Sequence, residues 1–262
     1  NAQVTALETR DVAALSTAAV AAMTTTQVNQ GLTTAQIVAL SNTSTGQIVA
    51  LTTAQIVALG TVQVAVIETQ DIAALSTAQI AVLTTAQIVA LTTAQVNQGL
   101  TTGQIVALGT TQVAAIETGD IAALTTAHVA ALTTAQLSLG LSTAQLVALG
   151  SAQIASLTTA QTSLGLSTTQ IVALTTEQVN QGLTTEQINL GLSTAQVRAM
   201  ETRDIAALTT ASIVALATEQ VVALTSAQTL ALGTTQIAVI ETRDIAALTT
   251  AQVKLGLSTD QV

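Results

Sequence analysis

Leu51-Thr52-Thr53-Ala54-Gln55-Ile56-Val57-Ala58-Leu59 reads as a whole helix signal compressed into nine residues. With Thr52 as N-cap, Gln55 falls at N3, and the two make a capping box. Leu51 then stands at N′ and Ile56 at N4, the spacing of a hydrophobic staple. Ile56 and Leu59 are three apart and share a helical face, whereas in a strand they would point to opposite faces. The filler is rich in Ala, the best helix former. A second phasing is open, because the residue after Thr52 is also Thr or Ser in nearly every copy. That phasing would make Thr53 the N-cap and Gln55 N2.

The stretch is one copy of a repeat eight residues long. Position one is Thr, Ser, Gly or Glu; two is Thr or Ser; four is Gln or Asp; five is Ile, Val or Leu; eight is Leu, Ile or Met. Gly60 to Ile67, Glu68 to Leu75, Ser76 to Leu83 and Thr84 to Leu91 follow without a break. A nine-residue variant places Gly before the closing Leu, at Thr92 to Leu100, Thr133 to Leu141, Thr158 to Leu166, Thr175 to Leu183, Thr184 to Leu192 and Thr249 to Leu257. That Gly suits a C′ stop before the next cap. A longer unit, Ser41 to Leu51, carries the insertion Ser41-Asn42-Thr43. Residues 1–262 are expected to be a single uninterrupted array. It opens part-way through one copy at Asn1 to Leu7 and stops part-way through another at Ser258 to Val262, as a segment of a longer protein would.

A continuous helix does not suit this period. Eight residues turn about 800°, so an apolar stripe would drift about 80° per repeat, and the Thr pairs would fall mid-helix, where they are unfavourable. The spacing predicts an all-α repeat solenoid of very short helices, one per repeat, coiled into a rod or superhelix. Positions five and eight should line its interior. The alternative is a β-solenoid, which Thr, Val and Ile favour by propensity and in which Gln would form side-chain ladders. A single octad buries too little to fold alone, so neighbours must share a core.

Composition narrows the function. The chain has 262 residues with no Cys, Pro, Phe, Tyr or Trp, one His, 5 Lys+Arg and 14 Asp+Glu. Disulfides, thiolate metal sites and cysteine nucleophiles are excluded. A net charge of −9 leaves nothing to neutralise a run of phosphates, so no nucleic-acid partner is expected. No apolar stretch approaches a membrane span. With 7% charged residues, the surface has little to keep copies apart.

Five repeats begin Glu-Thr-x-Asp: Glu8/Asp11, Glu68/Asp71, Glu117/Asp120, Glu201/Asp204 and Glu241/Asp244. Each carboxylate pair is a candidate Ca²⁺ site, although Ca²⁺ wants six to eight oxygens. The bland reading is an acidic first turn facing the helix dipole, with Asp in a capping box. Arg10, Arg203 and Arg243 sit between the acids and point to salt bridges between rods as a second option. His128 replaces Gln at position four, where Ser212 and Ala19 also stand, and reads as a tolerated substitution rather than a ligand. The adjacent Thr pairs cannot share one strand face, which counts against an ice-binding array. Near-identical acid pairs repeated along an array are unlike an enzyme site, and no catalytic residue or cofactor is expected.

The tandem Leu-Ser/Thr-Thr-x-Gln-Ile/Val-x-Ala-Leu unit, as in Leu83 to Leu91, resembles the long Thr/Ala/Gln-rich repeat regions of very large bacterial secreted or surface proteins, often labelled adhesin-like or haem-utilisation-like. The likeness spans the chain and implies an extracellular scaffold, stalk or fibre. It implies no haem site here, since His128, Met23 and Met200 form no ligand pair. Leu-Thr-x-x-Gln-Val-x-Ala also resembles, locally, the first helix of the DNA-binding repeats of TAL effectors, but the unit is shorter and the chain acidic. The expectation is a structural subunit of a bacterial extracellular filament or surface fibre, partnered by copies of itself. Its joints would be non-covalent, Lys254 being the only lysine available for an isopeptide link. The alternative is a monomeric solenoid stalk of an adhesin that presents a binding domain outside this segment.

Overall fold

A computed structural model describes residues 2–41 and 46–261; residues 42–45 of the long insertion lie outside the described residues. Every described element is a helix, so the β-solenoid alternative is set aside among these residues. The chain is an α-helical repeat solenoid. Its elements are one or two turns long, and one falls in each repeat.

The first phasing of the repeat is the one adopted. Thr52 is the N-cap of helix Thr53–Ala58: its side chain accepts from the Gln55 amide at 3.3 Å, and Gln55 Oε1 accepts from the Thr52 amide at 2.7 Å. Leu51 and Ile56 are both buried, as the staple requires. Leu59 (φ −55, ψ 136) and Gly60 (φ −73, ψ 157) are both extended and turn the chain into the next helix, Thr61–Val64. The second Thr or Ser of each pair is therefore N1, not the cap.

Contacts divide the chain into two compact units, Asn1–Ala131 and Leu132–Val262. In each, a helix packs mainly on the helix three places along. In the first unit Thr69–Ala74 lies on Gln95–Gly99, and Thr77–Ala81 on Thr102–Ala107. In the second, Ser151–Ala155 lies on Gln178–Gly182, and Ser226–Ala231 on Thr250–Gly256. Positions five and eight fill the interior between them, as expected: Ile56, Ile72, Ile88 and Ile105 with Leu59, Leu75, Leu91 and Leu108 in the first unit, and Ile171, Val179, Ile188 and Val197 with Leu174, Leu183, Leu192 and Met200 in the second.

Gln at position four is buried as deeply as the aliphatics. Its Oε1 takes the N-cap amide of its own helix, and its Nε2 crosses to the previous coil. Gln87 Nε2 donates to the carbonyls of Ile56 and Leu59 at 2.8 Å each, four helices back. Gln220 Nε2 donates likewise to Ile188 at 2.7 Å and Leu192 at 2.6 Å. These carbonyls belong to the last turns of their helices, where intrahelical donors run out; the Ile56 carbonyl also takes the Leu59 amide at 3.2 Å. Packing three helices along and bonding four helices back places between three and four helices in each coil of a unit. The Gln column thus bonds main chain rather than forming side-chain ladders among the described residues.

The nine-residue repeats absorb their extra residue as a π-helix, except the last, Thr249 to Leu257, which forms the seven-residue α-helix Thr250–Gly256. In Gln95–Gly99 the Leu100 amide reaches back five residues to the Gln95 carbonyl at 2.8 Å. Cap and core stay in register: Gln95 still boxes Thr92, and Val96 and Leu100 are buried. Thr24 to Leu32 is a further copy of this variant, with π-helix Gln27–Gly31. The expectation that the Gly is a left-handed C′ stop is corrected. Gly99, Gly165, Gly182 and Gly191 end their helices without a positive φ, and Leu is the C-cap. Close approach is the reason for Gly. A Cβ on Gly182 would come within 3.0 Å of Ile154 Cβ, and one on Gly165 within 2.9 Å of Leu137 Cδ1.

Two contrasts check this packing in chemical denaturation. Gly182→Ala is expected to cost about 1–3 kcal/mol through overpacking, whereas Gly103→Ala, whose Cβ meets nothing within 4 Å, should stabilise by about 0.5–1 kcal/mol. Gln87→Leu, which keeps the bulk and strips the cap acceptor and both crossing donors, should cost about 2–4 kcal/mol.

Candidate functional site

The five acidic repeats are built on the same cap. Glu occupies the N-cap at Glu8, Glu68, Glu117, Glu201 and Glu241, and in none does its side chain make a cap hydrogen bond. Asp lies at N3 in the first turn, where it faces the positive end of the helix dipole. No capping box forms, so that part of the bland reading is corrected, while the acidic first turn stands.

Asp is one methylene shorter than Gln and carries no donor. It cannot make the crossing bond to a carbonyl, and three copies take a hydroxyl instead. Thr93 Oγ1 donates to Asp120 Oδ1 at 2.6 Å, Thr176 to Asp204 at 2.7 Å and Thr218 to Asp244 at 2.6 Å. Each donor is the N1 Thr of a repeat 26–28 residues earlier. Asp71, Asp120, Asp204 and Asp244 are buried, whereas Asp11 is exposed.

The paired Glu points elsewhere. Arg10, Arg203 and Arg243 each place Nε 2.7–2.9 Å from the Glu of their own repeat and 3.5–3.6 Å from its Asp. These Arg side chains are largely exposed, so the pairs add little to stability. In the second repeat Gln70 Nε2 donates to Glu68 at 2.7 Å. In three of the five Ca²⁺ candidates, then, the counter-charge beside the carboxylates comes from the same repeat. Among the described residues no three His, Cys, Asp or Glu gather in metal-binding geometry. An open groove of about 460 Å³ in the second unit is lined by Thr158, Thr159, Thr184, Thr185 and Glu186, and by none of the acid pairs.

His128 copies the Gln arrangement. It is buried, its Nδ1 accepts from the Thr125 amide at 3.4 Å, and its ring bonds the main chain of Leu100, 28 residues back. An accepting Nδ1 requires the neutral ring with its proton on Nε2. Burial lowers the His128 pKa from its ordinary value of 6.5, against the opposing pull of the Leu100 hydrogen bond. Ser212 is too short for the role and holds only its own N-cap, Thr209, at 2.9 Å.

Two polar links escaped sequence reasoning: the crossing Gln Nε2 and the N1 Thr hydroxyl. A third is the Asn of the nine-residue repeats, which donates forward. Asn29 bonds the Ala58 carbonyl and Asn189 that of Ala215, each at 2.6 Å. One signal for the first was present. A capping box accepts Glu as readily as Gln, yet Glu never fills position four.

Two measurements follow. A His whose folded pKa is depressed contributes stability above its unfolded value, and that stability is lost as pH falls through 6.5 towards the folded pKa. His128→Gln should therefore flatten the pH dependence of the unfolding midpoint between about pH 7 and 5. Ser212→Gln should stabilise by about 1–2 kcal/mol, by restoring the cap acceptor and a donor to the previous coil.

The family model described as the ALTTAQ repeat matches residues 4–42, 64–98, 113–139 and 197–234, together just over half of the chain. No curated protein and no solved structure matches it. Among the described residues no helix is long and apolar enough to cross a membrane.

Proposed function

The chain belongs to the ALTTAQ repeat family, and from that premise we propose that it is a structural subunit of a bacterial extracellular filament or surface fibre, such as a biofilm matrix, sheath or adhesive fibre. It assembles by non-covalent contact between copies of itself. One observation carries the reading. In the second unit the π-helices Gln136–Gly140, Gln161–Gly165 and Gln187–Gly191 stack one on the next. Each presents a leucine outward from the same position, and Leu139, Leu164 and Leu190 are 77%, 73% and 68% exposed. A column of solvent-facing leucines is a cost to a lone protein in water and an asset where another apolar face covers it. The remaining surface is rich in Thr and Ala and poor in charge, so it offers little repulsion between copies.

The mechanism is mechanical. Core residues and crossing Gln bonds hold the coils of each unit, and the leucine column joins copies side by side. Cryo-electron microscopy of the purified segment, without added metal, tests it. Ordered assemblies are expected, and Leu139→Asn/Leu164→Asn/Leu190→Asn should disperse them while leaving the helical circular dichroism unchanged. Isolated particles at every concentration would remove self-assembly and leave the monomeric adhesin stalk as the reading.

A further inference from the structure

Asp204 is 1% exposed; its Oδ1 receives the Thr176 hydroxyl, and its Oδ2 is buried and receives no hydrogen bond from any described residue. A buried carboxylate oxygen with no donor is costly. The flanking repeats define what lies around it. Gln196 Nε2 donates to the carbonyls of Thr162 and Leu166, and Gln220 Nε2 to those of Ile188 and Leu192. In the same register Asp204 comes to Ile171 and Leu174. Leu174 is fully buried, and no described residue donates to its carbonyl. The N-cap amides of Ser193 and Ala217 donate to Gln Oε1 at 2.8 and 2.7 Å, whereas the Glu201 repeat, with Asp204 at N3, closes no capping box.

Shortening Gln to Asp thus removes the terminal carboxamide and leaves the cap amide and the Leu174 carbonyl without it, beside a new carboxylate oxygen. We propose that Asp204 holds a single buried water, which accepts from the Glu201 amide and donates to the Leu174 carbonyl and to Asp204 Oδ2. Three hydrogen bonds are what a buried water typically makes. They reproduce both halves of the Gln link, to the cap of its own helix and to the previous coil. The site is built against a cation, because Arg203 Nε already lies 3.6 Å from the Asp204 carboxylate. Asp120 and Asp244 accept the same Thr hydroxyl and stand in the same register to the Leu91 and Leu216 carbonyls. The same arrangement is therefore expected at Asp120 and Asp244.

A high-resolution crystal structure from EDTA-treated protein, paired with water–amide nuclear Overhauser spectra, tests this. A density peak within hydrogen-bond distance of all three atoms is expected, with a cross-peak from long-lived water to the Glu201 amide. Asp204→Asn, which keeps the size, should retain both. Asp204→Gln should lose both and melt a few degrees higher, and neither CaCl₂ nor EDTA should move the midpoint of any of the three proteins. A dry site in the native protein overturns the proposal, as does a CaCl₂-dependent rise in midpoint seen in the native chain and absent from Asp204→Gln.

Discussion

A helix of six residues has almost no interior. Its first amides and last carbonyls have no partner within it, and an array of such helices multiplies that debt with every repeat. The Gln at position four resolves both ends at once. Gln87 takes the Thr84 amide on Oε1 and gives Nε2 to Ile56 and Leu59. One carboxamide closes the start of its own helix and the end of another about 30 residues away. Glu satisfies only the first demand, having no donor. Buried as a charge facing carbonyls, it would be strongly unfavourable, which accounts for its absence from the column.

The departures from Gln obey the same requirement. His128 keeps an acceptor on one ring nitrogen and a donor on the other, so it fits while neutral. Asp gives up the donor and is matched by a hydroxyl from Thr93, Thr176 or Thr218, while an N-cap Glu and, beside Asp204 and Asp244, an Arg settle the exposed side. Ser212 keeps a local bond alone. Each variant can be sorted by which of the two halves of the Gln link it retains.

Length variation is handled by a different device. An extra residue in an octad would throw the next cap out of register by about 100° if the α-helix simply continued. The π-turn absorbs it locally, and the closing Leu returns to the core, as Leu100 and Leu192 do. The widened turn brings the backbone against the neighbouring helix, so Gly99, Gly182 and Gly191 have no room for a side chain. The residue before that Gly is turned outward. In the second unit, where it is Leu at 139, 164 and 190, an apolar column results.

Much of this was written in the sequence alone. The capping box, the staple and the three-residue spacing of Ile56 and Leu59 are local facts, set by bonds within one octad, and they specified the short helix and its buried face, while leaving its cap at Thr52 or Thr53. Tertiary structure decided what local signals cannot carry: where Nε2 of Gln goes, which Thr meets Asp120 or Asp204, and why Gly precedes Leu in the longer repeats. Each depends on a partner 26 to 35 residues distant. The number of helices in a coil sets that separation, and the octad does not encode the number in any one copy. It emerges when orphan carbonyls, crossing carboxamides and the aliphatic core are satisfied together.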